Sequence, residues 1–131
     1  MQDTGKLVLR LVLGILILLH GISKIMNGID PVLAGVTKVG LPQAFGYLVY
    51  VGEVVAPLLL IVGFLTRAAA LVIVINMLFA VYLVHTTQIF TLGKQGGWAL
   101  ELQGMYLFVA LAIALLGAGR YSVGRAAGRW N

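Results

Sequence analysis

The chain has 131 residues, of which 61% are hydrophobic and only 10% are charged, and its mean hydropathy is +1.05. Soluble domains carry roughly 25% charged residues, so this composition excludes a soluble globular protein and predicts an integral membrane protein. The absence of cysteine excludes disulfides, thiolate metal sites and iron-sulfur clusters built by this chain. The net charge of +5 is explained by membrane topology and attraction to anionic lipids, so no nucleic acid partner is predicted.

Four long apolar runs follow one another along the chain. They cover residues 7–25, 45–65, 68–86 and 98–117. Each is close to the roughly 20 residues that a helix needs to cross a bilayer, whereas barrel strands would be half as long and alternating. We therefore predict an all-α, polytopic bundle of four transmembrane helices, forming one domain over residues 1–131 with a basic tail at 118–131.

The connections between the runs also carry helix and turn signals. Asp30 and Pro31 resemble a helix cap followed by proline in the first turn, and apolar residues recur at helical spacing up to Gly40. This predicts a short interfacial helix between spans 1 and 2. Thr66 and Arg67 are predicted to form a very short turn, which would make spans 2 and 3 antiparallel neighbours.

Basic residues predict the orientation of the chain in the membrane. With four spans, both ends of the sequence share one side, and most lysines and arginines fall there. That side holds Lys6, Arg10, Arg67, Arg120, Arg125 and Arg129, against Lys24, Lys38 and Lys94 on the other. The positive-inside rule then places both ends in the cytoplasm.

Every histidine and glutamate falls inside a predicted span, one for each: His20, Glu53, His85 and Glu101. Ionisable groups there cost roughly 2.5 to 3.5 kcal/mol each, so they mark candidate functional sites. Helical rise places His20 roughly 20 Å along span 1 and Glu53 roughly 12 Å into span 2. All four therefore fall in the outer half of the bundle, with Lys24 one turn beyond His20 on the same face.

Helix phase and depth decide which other polar residues join this set. Glu53 is predicted to face inward with His20 as its natural partner, because its exposure to lipid would be the most costly. Asn76 lies nine residues before His85, about 180° around a straight helix, so we predict that it hydrogen-bonds elsewhere. Arg10 is predicted to snorkel to the cytoplasmic headgroups as a topology anchor.

Four hypotheses account for the polar cluster. The first is interhelical hydrogen bonding that only holds the bundle together. The second is a site for a small polar or quinone-like ligand, at whose oxygens histidine and glutamate exchange protons. The third is a metal site, although the chain lacks Glu-x-x-His and His-x3-His spacings. The fourth is a pathway for protons or a solute.

Short motifs spread over nearly the whole sequence resemble one known family in their order and spacing. They are His20-Gly21-x-x-Lys24, Gly40-Leu41-Pro42, Glu53, Gly63-Phe64-Leu65-Thr66-Arg67, Gly96-Gly97 before Glu101-Leu102, and Gly117-x-Gly119-Arg120-Tyr121-Ser122. Together they are similar to the DoxX family. The resemblance implies a four-helix protein of the bacterial inner membrane. Some members take part in quinone-linked oxidation of sulfur compounds, and others in membrane oxidoreductase assemblies that answer oxidative stress.

The residues and the resemblance together lead to one main prediction and two alternatives. We predict a membrane subunit of a quinone-linked redox system, in which His20 and Glu53 are catalytic and Lys24, His85 and Glu101 bind ligand. The sequence does not identify a cofactor, and quinone is the candidate. No metal ligand is assigned, and other redox subunits or further copies of the chain are the expected protein partners. The alternatives are an accessory or scaffold subunit without enzymatic activity, and a transporter or binder of a small solute or metal.

Overall fold

Helices account for all the regular secondary structure in the part of the chain that the structure, a computed structural model, describes: residues 1–82, 101–124 and 130–131. They are α1 (Gln2–Asn27), α2 (Asp30–Lys38), α3 (Ala44–Tyr47), a π-helical segment (Val51–Val55), α4 (Ala56–Val62), α5 (Thr66–Ala80) and α6 (Glu101–Leu116). The predicted all-α fold class is confirmed over these ranges.

Two helical stretches are long and apolar enough to cross a membrane. These are α1, with 26 residues, and the stretch Ala44–Val62, with 19 residues. Helix α5 and the stretch Gln103–Leu116 are apolar but shorter. Parts of the third and fourth predicted spans, residues 83–86 and 98–100, lie outside the described residues. The four-span bundle therefore stays a prediction at those two helices.

The predicted interfacial helix between spans 1 and 2 is present as α2. Its cap differs from the prediction, because Asp30 is already the first helical residue and Ile29 is the N-cap. No side chain caps the helix, so the carboxylate of Asp30 lies in the first turn, where a negative charge is favourable beside the helix dipole.

The turn between spans 2 and 3 comes earlier than the sequence predicted. Helix α4 ends at Val62, and Gly63 adopts a left-handed conformation with φ of 77°. The backbone N–H groups of Gly63 and Phe64 both donate to the carbonyl of Leu59, a common way to close a helix with glycine. Thr66 and Arg67, predicted to form the turn, instead begin α5. Helices α4 and α5 still pack against each other as expected.

The helices form a ring in which α1 and α5 each pack against both α4 and α6. Their shared core consists mainly of leucine, isoleucine and alanine. Its buried members include Leu13, Ile17, Leu60, Ala70, Ile73, Met77, Ala110 and Ile113. Small residues allow the closest approaches: Gly14 and Gly21 of α1 lie against the backbone carbonyls of Pro57 and Glu53. Such contacts between helices are typical of membrane bundles.

The segment after α6 folds back across one end of the ring, and we call these contacts the tail junction. The N–H groups of Val123 and Gly124 donate to the carbonyls of Val62 and Gly63 at 2.9 and 3.0 Å. The N–H of Thr66 donates to the side-chain oxygen of Asn131 at 3.2 Å. These bonds satisfy backbone groups at the end of α4 and the start of α5, which the helices themselves leave unpaired.

Arg10 lies at the centre of the tail junction, contrary to the prediction that it snorkels to the headgroups. Its side chain is 0% exposed. One guanidinium nitrogen donates to the carbonyl of Leu60 at 2.9 Å and another donates to the carbonyl of Tyr121. Carbonyl oxygens at the C-terminus of α4 and in the tail hold the charge inside the protein, although the buried Nε has no hydrogen-bond partner in the described part of the chain.

Candidate ligand cavity

A cavity of about 560 Å³ lies at the end of the bundle opposite the tail junction, between residues of α1, the Ala44–Val62 stretch, α5 and α6. Its walls are mostly apolar. The polar side chains on its lining are His20, Lys24, Glu53, Asn76, Gln103 and Tyr106. Ligand pockets in proteins commonly have this size and this composition, with few polar groups in an apolar wall.

Three of the residues predicted from the sequence line this one cavity: His20, Lys24 and Glu53. The partner of Glu53 is Lys24, however, and the prediction that His20 would pair with it is wrong. The Lys24 ammonium donates to the Glu53 carboxylate, whose side chain is only 8% exposed. The prediction was wrong because it considered only the depth of each residue's backbone along its helix. The long lysine side chain reaches one helical turn back toward the carboxylate.

His20 instead contacts Tyr106 on α6. The His20 Nε2 atom and the Tyr106 hydroxyl are 3.4 Å apart, and the two rings meet edge to face with centroids 5.8 Å apart. The tyrosine fixes the imidazole against the cavity wall. Because either ring nitrogen of histidine can carry the proton, His20 can act in this position as donor or acceptor.

Asn76 of α5 also belongs to the cavity, although the sequence argument had placed it elsewhere. Its side chain lies against Gly52, the neighbour of Glu53. The predicted orientation of Asn76 was relative to His85, which lies outside the described residues. Its Nδ2 atom is buried and has no hydrogen-bond partner in the described part of the chain. A buried amide without a hydrogen-bond partner lowers the stability of a protein by about 1 to 3 kcal/mol, so an acceptor that bound to this donor would be stabilising.

Backbone packing fixes the position of Glu53. It lies within the π-helical segment Val51–Val55, and irregular turns of this kind occur frequently at functional sites. The carbonyl of Glu53 lies directly against Gly21, where a larger residue would collide with it. The glycine in the His-Gly-x-x-Lys motif therefore holds α1 and its two polar side chains close to Glu53.

The other two predicted site residues are not tested by the geometry. Glu101 is the first residue of α6, and His85 lies outside the described residues. Within the ranges that the structure describes, no three His, Cys, Asp or Glu side chains form a group that could hold a metal ion. The polar groups brought together are thus one imidazole, one ion pair, two amides and one phenol.

A family comparison covers the part of the chain that holds the motifs from His20 to Arg67. The model of the DoxX family matches residues 5–86, which is more than half of the sequence. The chain belongs to the DoxX family. With its two long apolar helices, this DoxX chain is a membrane protein, as its composition predicted. No curated protein and no solved structure matches it.

Sequence reasoning about this DoxX chain missed Asn76, Gln103 and Tyr106. Amides and tyrosine are frequent in membrane helices as packing or interface residues, so none of them is conspicuous alone. One signal was available for α6: Gln103 and Tyr106 are three residues apart and thus share a helix face. The matched region also contains His20, Lys24, Glu53 and Asn76, and so covers the cavity walls contributed by the first three predicted spans.

Proposed function

We propose that this DoxX protein is a membrane subunit of a redox system whose cavity binds a quinone. One observation carries the proposal. A single apolar-walled cavity brings together His20, the Lys24–Glu53 ion pair and the buried, unpaired amide of Asn76. Two other buried polar atoms of the described residues are also unpaired, the Arg10 Nε and the Thr66 hydroxyl, but both lie at the tail junction. The Asn76 amide lies on the cavity lining, where an unpaired donor suits a ligand with an acceptor oxygen.

The residues present fit a quinone head group. Its ring has two flat apolar faces, which the aliphatic and aromatic walls can cover, and two carbonyl oxygens that accept hydrogen bonds. The Asn76 amide and an N–H of His20 are donors of the required kind. A cavity of about 560 Å³ is large enough for one substituted ring. A bound quinone would supply two-electron, two-proton redox chemistry.

The chain's own residues would position the ring and handle its protons. His20, braced by Tyr106, can donate or accept a hydrogen bond at a ring oxygen and is the proposed carrier of the first proton. Glu53 would take up the second proton and pass it to the ring, and Lys24 stabilises the charge of its carboxylate in an apolar wall. Asn76 would hold a carbonyl oxygen through its Nδ2. His85 and Glu101 keep their predicted ligand-binding roles within this proposal.

The proposal also includes the setting of the protein. We place it in the bacterial inner membrane with four spans and both ends in the cytoplasm, in agreement with its basic residues. The chain has no cysteine, so neither thiolates nor disulfides within it can donate electrons. A partner redox subunit or a diffusible reductant is therefore the proposed electron source.

The decisive test replaces Asn76 by leucine, which has nearly the same shape and no polar atoms. If the amide serves a ligand, Asn76→Leu weakens quinone affinity about tenfold and yet raises the melting temperature, because an unsatisfied buried donor is removed. Quinone titration and thermal unfolding of the purified protein measure both. Asn27→Leu is the matched control, since the Asn27 amide is exposed and bonds Ser23 away from the cavity.

Glu53→Gln tests the proposed proton-handling role. The amide keeps the size of the carboxylate but cannot take up and pass on a proton, so we expect quinone reduction to slow at least about tenfold while quinone binding is retained. The measurement is quinone reduction by the assembled system. An unchanged rate would remove Glu53 from the chemistry, and no saturable quinone binding to the native protein would disprove the proposed function.

One observation favours a second candidate, an accessory subunit without enzymatic activity. The Lys24–Glu53 pair and the His20–Tyr106 contact each join different helices, as structural polar contacts in membranes do. This candidate predicts that His20→Ala and Glu53→Ala lower the yield of assembled complex while electron transfer per complex stays constant. It also predicts no quinone binding and hence no affinity change in Asn76→Leu.

A further inference from the structure

One wall of the cavity is also part of the outer surface of the bundle. Leu48 and Val51 of the Ala44–Val62 stretch and Ile75 of α5 all line the cavity. The same residues are 57%, 43% and 65% exposed. A side chain that borders an internal space and is also accessible from outside marks the opening of that space. The cavity therefore opens sideways, between the second predicted span and α5.

This side opening is apolar and faces the region where lipid chains would lie. Leu48 and Val51 belong to a stretch with the length and composition of a membrane span. Ile75 lies within the apolar helix α5, between Val74 and Asn76. The polar lining residues His20 and Lys24 come from α1, and Glu53 comes from the π-helical segment that also carries Val51. The rim between the second predicted span and α5 is thus apolar, whereas Glu53 is buried in the cavity wall.

Two glycine contacts flank this part of the cavity wall. Gly52 allows the second span to touch Asn76 of α5, where even a methyl group would overlap the amide. Toward the start of the stretch, α3 packs against α2, with Gly46 lying on the side chain of Leu33. The exposed lining residues Leu48 and Ile75 lie beside these contacts.

We infer that this opening holds the apolar tail of a membrane-dissolved ligand, whose polar ring lies inside against Glu53 and Asn76. The inference rests on the proposed function and specifies its substrate class: a quinone with a long hydrocarbon tail that reaches the site from the bilayer. A tail in the opening covers the exposed faces of Val51 and Ile75. A methylene group of the tail has an apolar environment both in the lipid and in the opening, so its transfer between them changes the free energy of binding little. The opening therefore selects a tail by its shape.

The experiment blocks the opening and compares two ligands. Ile75→Trp adds a bulky side chain at the rim, and the protein is studied in lipid nanodiscs with a long-tailed quinone and with the tail-free quinone of the same head group. We expect the long-tailed quinone to lose at least about tenfold in affinity, while the tail-free quinone keeps its affinity. Leu78→Trp is the matched control, because Leu78 lies on the same helix, is also exposed, and does not line the cavity.

The outcomes separate the two proposals. Suppose that the native protein binds both quinones, and that Ile75→Trp lowers the affinity for both equally or for neither. The tail then does not occupy the opening, and the inference is overturned while the proposed function stands. If the native protein binds neither quinone, the proposed function fails and takes the inference with it. Leu48→Trp repeats the test from the opposite rim, so that misfolding of one variant does not decide the result.

Discussion

Arg10 is a buried charge that the tail junction encloses. Replacing it by methionine keeps much of its length but removes the donors that reach Leu60 and Tyr121. Their carbonyls would lose partners away from water, so we expect Arg10→Met to destabilise the protein by about 2 to 4 kcal/mol. Thermal or denaturant unfolding in detergent measures the change.

Arg120→Met provides the comparison for that prediction. Arg120 is a basic residue of the same end of the molecule, and its side chain is exposed. Its loss should change stability by no more than about 0.5 kcal/mol, the usual range at exposed positions. Equal effects of the two substitutions would show that Arg10 serves as a topology anchor after all.

The environment of Glu53 could be predicted from the sequence, whereas that of Arg10 could not. Glu53 was identified correctly as an inward-facing residue, because its depth alone makes exposure to lipid costly. Arg10 was placed in the headgroups, because a residue so near the start of a span can reach them. Its true partner Tyr121 lies 111 residues away along the chain, and no local pattern indicates that contact.

Helix α1 has two kinds of glycine, and they should respond oppositely to substitution. A methyl group at Gly21 would collide with the Glu53 carbonyl, whereas at Gly5 it would meet nothing within 4 Å. Gly5→Ala should stabilise the helix by about 0.5 to 1 kcal/mol. Gly21→Ala should instead destabilise the protein by about 1 to 3 kcal/mol, because a backbone segment must move.

Thermal unfolding of both variants, combined with quinone titration, measures this difference. Gly21→Ala should also weaken quinone binding, since displacement of Glu53 distorts the cavity, while Gly5→Ala should leave it unchanged. A stable Gly21→Ala variant with native affinity would mean that α1 can shift without disturbing the site.

At the level of elements, the sequence predicted helices well and their ends less well. Apolar runs of sufficient length located α1, α4, α5 and α6, and proline with spaced apolar residues located α2. The turn was misplaced because Gly63 in the left-handed conformation ends α4 three residues before Thr66. The π-helical segment was not predicted, because Val51–Val55 has no composition that separates it from an ordinary helix.

For the whole molecule, the two ends of the sequence offer a test of topology. The N–H of Arg120 donates to the carboxylate of Asp3 at 3.1 Å, so residues near both ends lie at the same end of the bundle. The proposed four-span topology, with an even number of crossings, predicts this arrangement. Because the chain has no cysteine, single cysteines can report the side of each residue.

We expect Val123→Cys to be protected from a membrane-impermeant maleimide added to intact cells, and Lys38→Cys in α2 to be labelled. Both residues are exposed in the structure, which makes them accessible to the reagent on their own side. Labelling of Val123→Cys from outside would invert the orientation that the basic residues predict. Labelling of both or neither would contradict the four-span topology.

The site shows how far whole-molecule inference from the sequence could go. Depth along the helices correctly grouped His20, Lys24 and Glu53 at one end, because helical rise is constant. The orientation of side chains was less secure. Asn76 was assigned to the wrong face because its position depends on how α5 packs around the cavity, which the spacing within one helix does not encode. Glu53 was given the wrong partner because the Lys24 side chain reaches back one helical turn.

The tail junction has a mechanical consequence for the bundle. Main-chain hydrogen bonds and the Arg10 guanidinium clamp the ends of α4 and α5 to the tail, while the opposite end contains the cavity. A helical bundle that is held together at one end changes shape most easily when its helices move apart at the other end. Head groups of different bulk could then be accommodated at the free end without disturbing the clamp.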